Sequence, residues 1–369
     1  LAQEASCTQS IMRKYCYNQL ELRDLEIRHV EEDRQSGETH INKTTFLHFT
    51  SRDGKGNSGG FKQLGIVRNK ILWADSILHL ARLFYKRYVW SVDKTKPLLD
   101  VDWTDAAAWM THRVAGHSRN DPTAPVPAQA SSNEIGRAFK TVLGWEDGRV
   151  EQVKKNGGNR REGVNNAARH GATGEELDRQ GGWTNSHSAS KTAPNVRDKH
   201  YMDVQSNMNG MLCAAGYRRD EKPLAAGREK IEFLSVSGMF FGDITRVLQQ
   251  TLQTLSTSSV PKGFKGMEKK TKQSEYSRLC SGYHNMLAVF EWFDTVLCQD
   301  LPILQHYYPT LPSWQNPIFH TDKWKAHQKN AVEFYQEYNK PALHFPDTPS
   351  WTQQLYQEMR DIRVAQHQA

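Results

Sequence analysis

The stretch Asn166-Ala167-Ala168-Arg169-His170-Gly171-Ala172 combines an arginine with small residues in a helix-forming context. Gly181-Gly182-Trp183 follows it, and we expect residues 163–180 to be helical. Because a guanidinium can pair with two phosphate oxygens, Arg169 is a candidate phosphate contact, and the Trp183 indole after the turn could line the same site. The alternative is that Trp183 is an ordinary core aromatic residue.

Upstream, residues 44–67 have the composition of a β-hairpin. Two segments of strand composition flank a glycine-rich turn that contains Gly54-Lys55-Gly56. The turn presents Lys55 with Arg52 and Lys62 beside it. By itself this pattern is also typical of a solvated glycine turn.

The rest of the chain has mainly helical patterns. Polar, proline-bearing loops separate them, and we place a domain boundary between residues 222 and 230. The sequence therefore predicts a domain over 1–222 and a second, helical domain over 230–369. The expected helices cover residues 5–31, 75–90, 200–215, 241–255, 275–300, 322–339 and 350–364.

Composition favours a polyanionic partner in a reducing compartment. The chain has 369 residues and a formal net charge of +7, and nucleic acid is the commonest partner of such a basic protein. Its five cysteines are scattered and odd in number, which argues against disulfides and zinc sites. No apolar run approaches the roughly 18 residues of a membrane span, and no cofactor-binding motif is present. We expect no cofactor, no metal and no membrane partner.

Taken in order, these segments resemble the catalytic domain of tyrosine recombinases, closest to the Crypton type of fungal mobile elements. The resemblance implies a mainly α fold with a small sheet, and a helical domain on the N-terminal side of Leu1. In the family a tyrosine attacks a DNA phosphodiester while two arginines clamp the phosphate. The matching residues here are Lys55, Arg169, Trp183 and Tyr201.

Two positions depart from the family pattern. Asn18 stands where the first clamp arginine is expected, three residues before Glu21, and Asn166 replaces a histidine. Neutral asparagine cannot compensate the charge of the reacting phosphate, and one lost cationic donor costs about 10²–10³-fold in rate. We therefore expect a catalytically inactive DNA-binding protein. The alternatives are an active Crypton-like recombinase that uses Tyr201, and an interaction scaffold for acidic proteins.

Residues 300–319 carry a second resemblance, to the recombinase-derived, centromere-binding proteins of the budding-yeast inner kinetochore. It implies a homodimer in the nucleus that binds double-stranded DNA and other kinetochore-type proteins, without enzymatic activity. The basic segment 262–272 is equally consistent with a linker and with a DNA contact. The candidate DNA-binding residues are Arg52, Lys55, Lys62, Lys154, Lys155, Arg160, Arg161, Arg169, His170 and Lys191.

Overall fold

A computed structural model describes the parts of the chain that carry the sheet and the long helices. The described residues are 20–31, 43–51, 62–91, 96–114, 122–124, 133, 137, 140, 146, 165–174, 176–177, 210–218, 228–257 and 269–338.

Three antiparallel strands form a small sheet in the order β1-β2-β3. They are β1 (Leu25–Glu31), β2 (Lys43–Ser51) and β3 (Lys62–Val67). Side chains alternate between the two faces of a strand, so Leu47 and Phe49 pack into the main core while Phe46 lies on the opposite face. The hairpin expected over residues 44–67 is confirmed.

The helix expected over residues 5–31 is wrong over its described part, residues 20–31, where the chain forms β1 from Leu25 onward; residues 5–19 lie outside the described part. A short 3-10 helix, Leu22–Asp24, precedes the strand, and a reciprocal capping box between Glu21 and Asp24 fixes its start. Leu25 and Ile27 alternate with the charged Glu26 and Arg28, and pairing with β2 satisfies the backbone. Tertiary pairing therefore overrides the helical spacing of the preceding residues.

Helices dominate the described part of the chain, as expected. The longest of the described helices, Lys269–Tyr307, spans about 58 Å at 1.5 Å per residue. The Asp75 carboxylate caps the N-terminus of the helix Ser76–Tyr88 by accepting from the backbone N–H groups of Ile77 and Leu78. The expected helices at 75–90, 241–255, 275–300 and 322–339 are confirmed. The segment 350–364 lies outside the described residues. The helices are α1 (Ser76–Tyr88), α2 (Ala106–Trp109), α3 (Gly242–Thr257), α4 (Lys269–Tyr307) and α5 (Asp322–Tyr338).

The main core is an aromatic cluster centred on α4. Phe290 and Phe293 pack edge-on against Phe84 of α1, with ring centroids 6.0 and 5.1 Å apart. Phe84 lies before the predicted boundary at 222–230 and the two α4 residues lie after it, so the boundary does not separate two cores among the described residues. The division of the chain into separate domains over 1–222 and 230–369 stays a prediction.

A second, smaller cluster lies on the other face of the sheet. It contains Phe46 and Val67 of the hairpin together with four residues of the segment 210–217. This cluster carries the candidate site. Its members are Phe46, Val67, Met211, Leu212, Ala215 and Tyr217.

Candidate nucleic-acid interface

The segment 210–217 is seated directly on the hairpin. A Cβ atom built on Gly65 of β3 would lie 2.6 Å from Met211 Sδ, so only glycine allows this approach without a shift. Beyond β3, the Lys70 backbone N–H donates to the Ala215 carbonyl at 2.9 Å. Close packing at one end and a backbone hydrogen bond at the other fix the segment on the sheet.

The Arg169 segment is in turn docked on 210–217. Residues 165–169 are helical, and Ala167 is buried. The Asn166 side-chain amide donates to the Ala214 carbonyl at 3.1 Å, and the Cys213 thiol donates to the His170 carbonyl at 3.4 Å. The structure thus brings together the hairpin and the Arg169 stretch.

The helix expected over 163–180 is interrupted. Gly171 has φ 94°, a conformation that favours glycine and ends a helical turn. A new turn begins after Thr173, whose N–H donates to Glu176 Oε2 at 2.8 Å while its hydroxyl accepts from the Glu176 N–H. A continuous helix is therefore wrong, because a glycine stop and a capping box divide the segment.

Arg169 and His170 differ in their surroundings. The Arg169 side chain is exposed, as a phosphate ligand requires. His170 Nδ1 lies 2.7 Å from the Asn166 carbonyl oxygen, which can only accept a hydrogen bond. The neutral His170 ring therefore carries its proton on Nδ1, and Nε2 can donate to a phosphate only when the ring is protonated on both nitrogens.

A group of charged residues missed by the sequence reasoning lies at the hairpin-turn end of the sheet. Leu25 pairs with Phe49, which places the residues just before β1 at the end of the sheet where β2 ends at Ser51 and β3 begins at Lys62. There Glu21 forms ion pairs with Arg23 at 2.6 Å and with Arg113 at 3.0 Å. Arg113 is distant in sequence, and no local pattern marks it.

A buried group of four charged residues lies beside the loop that follows β3. We call Arg68, Asp75, Arg228 and Asp300 the ionic cluster. Arg228 donates to Asp75 at 2.8 Å and to Asp300 at 3.0 Å. Arg68 donates to Asp75 at 3.2 Å and forms a close ion pair with Asp300. All four side chains are buried.

The arginines of the ionic cluster remain charged despite their burial. Desolvation acts to lower the pKa of Arg68, but the carboxylates of Asp300 and Asp75 outweigh it and hold the pKa above its ordinary value. Burial raises the pKa of the neighbouring Glu229 carboxyl, and the two arginines oppose that shift. Since both guanidinium groups are enclosed by protein partners, neither is a phosphate ligand.

Most of the predicted site residues lie outside the described part of the chain. Arg169 and His170 are described in full, and Lys62 is described as the first residue of β3. The structure gives no position for the others, whose roles stay predictions. They are Arg52, Lys55, Lys154, Lys155, Arg160, Arg161, Trp183, Lys191 and Tyr201.

Comparison of the chain with protein-family models and with curated proteins finds no match. Among the described helices, none has the length and apolar character that crossing a membrane requires. The described residues likewise contain no group of three or more His, Cys, Asp or Glu side chains arranged to hold a metal ion.

Proposed function

We propose that this protein binds duplex DNA with little sequence preference and performs no strand cleavage. The observation that carries the proposal is the docking of the exposed Arg169 segment, through 210–217, onto the hairpin face that carries Phe46 and Val67. Three segments that are distant in sequence are thereby packed together, and Arg169 is exposed beside them. Arginine and lysine on loops contact phosphates without distinguishing bases.

Electrostatics supports the same partner. The net charge of +7 gives a long-range attraction for a polyanion. The buried arginines of the ionic cluster are balanced by two carboxylates, so they add nothing to the surface charge. The excess positive charge therefore belongs to other residues, which include those of the expected basic loop before Arg169 (Lys154, Lys155, Arg160 and Arg161) and of the expected hairpin turn.

Asn166 supports the catalytically silent form of the proposal. Its amide donates to the Ala214 carbonyl and so serves as a structural tie. It is neutral and supplies no proton in a phosphoryl-transfer step, which needs a titratable group or a cation. With Asn18 also neutral, the phosphate charge that develops during cleavage would lack a second clamp arginine.

We further propose, on the strength of the family resemblance, that the protein acts as a homodimer in the nucleus in a centromere or kinetochore-type structural role, together with other proteins of that assembly. Sedimentation of the full chain with and without duplex tests the dimer. A single species with the mass of one chain at all concentrations rejects it.

The test of DNA binding uses two duplexes of equal length and unrelated sequence. We expect similar affinities for both, falling steeply as salt rises, because counterion release dominates such binding. An acidic polypeptide of matched charge serves as the control ligand. If it binds as tightly as the duplexes, the scaffold alternative replaces DNA binding.

Catalysis is tested separately with nicked duplexes that trap a covalent intermediate. The proposal predicts no protein–DNA adduct. An adduct that forms in the parent protein and is lost in Tyr201→Phe would establish the alternative, an active recombinase.

A further inference from the structure

We propose that the ionic cluster positions the candidate DNA interface, so that Arg68, Asp75, Arg228 and Asp300 act as positioning residues for Arg169. The inference rests on the proposed function, because it concerns how the same surface is held in place. The physical link is a single peptide group between Asn69 and Lys70, which binds the cluster on one side and the interface on the other.

On the cluster side, Arg228 grips the backbone after β3. Its guanidinium donates to the Asn69 carbonyl and to the Lys70 carbonyl, each at 2.7 Å. The same guanidinium donates to Asp75 and Asp300. The two carboxylates fix the orientation of the guanidinium plane, and the plane fixes the two carbonyl groups.

On the interface side, the same peptide group donates its N–H. Lys70 N–H lies 2.9 Å from the Ala215 carbonyl oxygen. An amide that accepts a charge-assisted hydrogen bond at its carbonyl becomes a stronger donor at its N–H, because hydrogen bonds in series polarise one another. Arg228 thereby strengthens the contact that holds the segment 210–217.

From Ala215 the link continues to Arg169 through neighbouring residues. The adjacent Ala214 carbonyl accepts from the Asn166 amide at 3.1 Å, and the Cys213 thiol donates to the His170 carbonyl at 3.4 Å. Asn166 lies on the same short helix as Arg169, and His170 follows Arg169 directly in the chain. Each step is a direct contact between described residues.

Arginine at position 228 is required by the geometry as well as by its charge. The side chain makes four hydrogen bonds, to two carboxylates and two carbonyls. A lysine keeps the charge but has only three donors around one nitrogen atom. Arg228→Lys therefore preserves the charge of the cluster and removes part of its hydrogen bonding to the backbone carbonyls of Asn69 and Lys70.

The experiment measures amide hydrogen exchange at Lys70 and duplex affinity in the full chain carrying Arg228→Lys, at a temperature where the variant is folded. We expect faster exchange of the Lys70 N–H and a loss of affinity of about threefold to tenfold, the equivalent of about one net hydrogen bond. In an Arg169→Ala background, Arg228→Lys should lower the duplex affinity by a smaller factor, because its effect on binding depends on Arg169.

The matched control is Asp294→Asn. Asp294 is also a buried carboxylate of α4, and it accepts from the backbone N–H groups of Gly238, Phe240 and Phe241, away from the 69–70 peptide. Its replacement lowers stability without touching the link. If Asp294→Asn costs as much duplex affinity as Arg228→Lys at equal stability, the positioning role is wrong.

A second variant covers the case in which Arg228→Lys does not fold. Arg228→Met combined with Asp300→Leu removes one positive and one negative charge together, a replacement that buried ion pairs often tolerate. We expect the same gain in Lys70 exchange. Unchanged exchange in either variant overturns the inference. If the parent protein binds no duplex, the proposed function fails, while the Lys70 exchange result still decides the structural link.

Discussion

The main core and the small cluster on the other face of the sheet differ in size and in the way they hold their segments in place. The main core joins β1, α1, α3, α4 and α5 through buried apolar side chains, among which the aromatic Phe84, Phe290 and Phe293 are fully buried. The small cluster has six members. It supports short segments that are tied down by single hydrogen bonds.

Because of this difference, we expect substitutions in the two regions to affect different properties, the free energy of unfolding in one and the affinity for DNA in the other. Buried apolar area supplies most of the stability of a domain, so substitutions in the main core should lower the free energy of unfolding. Substitutions in the ionic cluster should lower it as well, because they leave a buried charge without its partner. Substitutions on the surface above the small cluster should affect DNA binding and leave unfolding nearly unchanged. Substitutions in the ionic cluster should affect both stability and DNA binding.

The largest expected effect is on stability, at the ionic cluster. Asp300→Ala leaves Arg68 and Arg228 buried with one carboxylate between them, which costs about 3–5 kcal/mol in the free energy of unfolding. Denaturant titration measures it. Asp243→Ala, which removes an exposed carboxylate paired with Arg246, is the control and should change stability by less than about 1 kcal/mol. If both variants changed the free energy of unfolding equally, the ionic cluster would not have the stabilising role assigned to it.

The next effect is on binding, at the basic segment 154–161, which we expect to be a loop before Arg169. Replacing Lys154, Lys155, Arg160 and Arg161 with alanine should weaken binding to unrelated duplexes equally. The salt dependence should flatten by up to about 0.9 units for each lost phosphate contact.

The control for the loop removes four charges elsewhere. It combines alanine substitutions of Arg246 on α3 and of Lys323, Lys325 and Lys329 on α5, all exposed. If this control flattens the salt slope as much, net charge alone governs binding and the distinction between the two regions is lost for DNA.

A third prediction concerns pH and the main core. Burial, reinforced by Arg87, lowers the pKa of His112 from 6.5 to about 4. The unfolded chain therefore binds a proton at higher pH than the folded one, so His112 leaves stability intact above pH 6.5 and reduces it as pH falls toward 4. Between pH 7 and 5 the loss is about 2 kcal/mol.

The measurement is the difference between the parent protein and His112→Phe, which keeps an aromatic ring against Tyr88. His327, whose pKa is also lowered by burial, remains in both proteins and cancels from the difference. Parallel pH profiles of unfolding would contradict the burial of a neutral His112.

The smallest expected effect is that of Tyr201→Phe. Without a covalent step the hydroxyl contributes one contact at most, so stability and duplex affinity should change by less than about 0.5 kcal/mol. A larger loss of affinity would place Tyr201 within the interface.

Much of the fold is predictable because its signals are local. The glycine turn at 53–60 and the strand composition beside it predict the β2–β3 hairpin, and helical spacing predicts α1, α3 and α5. The strand β1 is not predictable in this way, since residues 25–31 acquire their conformation from pairing with β2.

The candidate site is predictable only in part. Arg169 stands out because small residues and a glycine surround it, but the contact of Asn166 with Ala214 depends on two distant segments meeting. The ionic cluster has no sequence signal at all, because Arg68, Arg228 and Asp300 lie far apart in the chain and meet only in the folded structure.

The most direct test of the account is the duplex affinity of Arg169→Ala compared with that of Arg246→Ala, each measured beside its own thermal unfolding curve. The two variants lose the same charge from exposed helical positions. We expect Arg169→Ala to lose about 1.5–3 kcal/mol of binding free energy, the value of a hydrogen bond to a charged group. Arg246→Ala should bind like the parent, and both should unfold like it. If Arg169→Ala binds duplex as tightly as Arg246→Ala, the surface formed by the hairpin and the Arg169 segment is not the DNA interface.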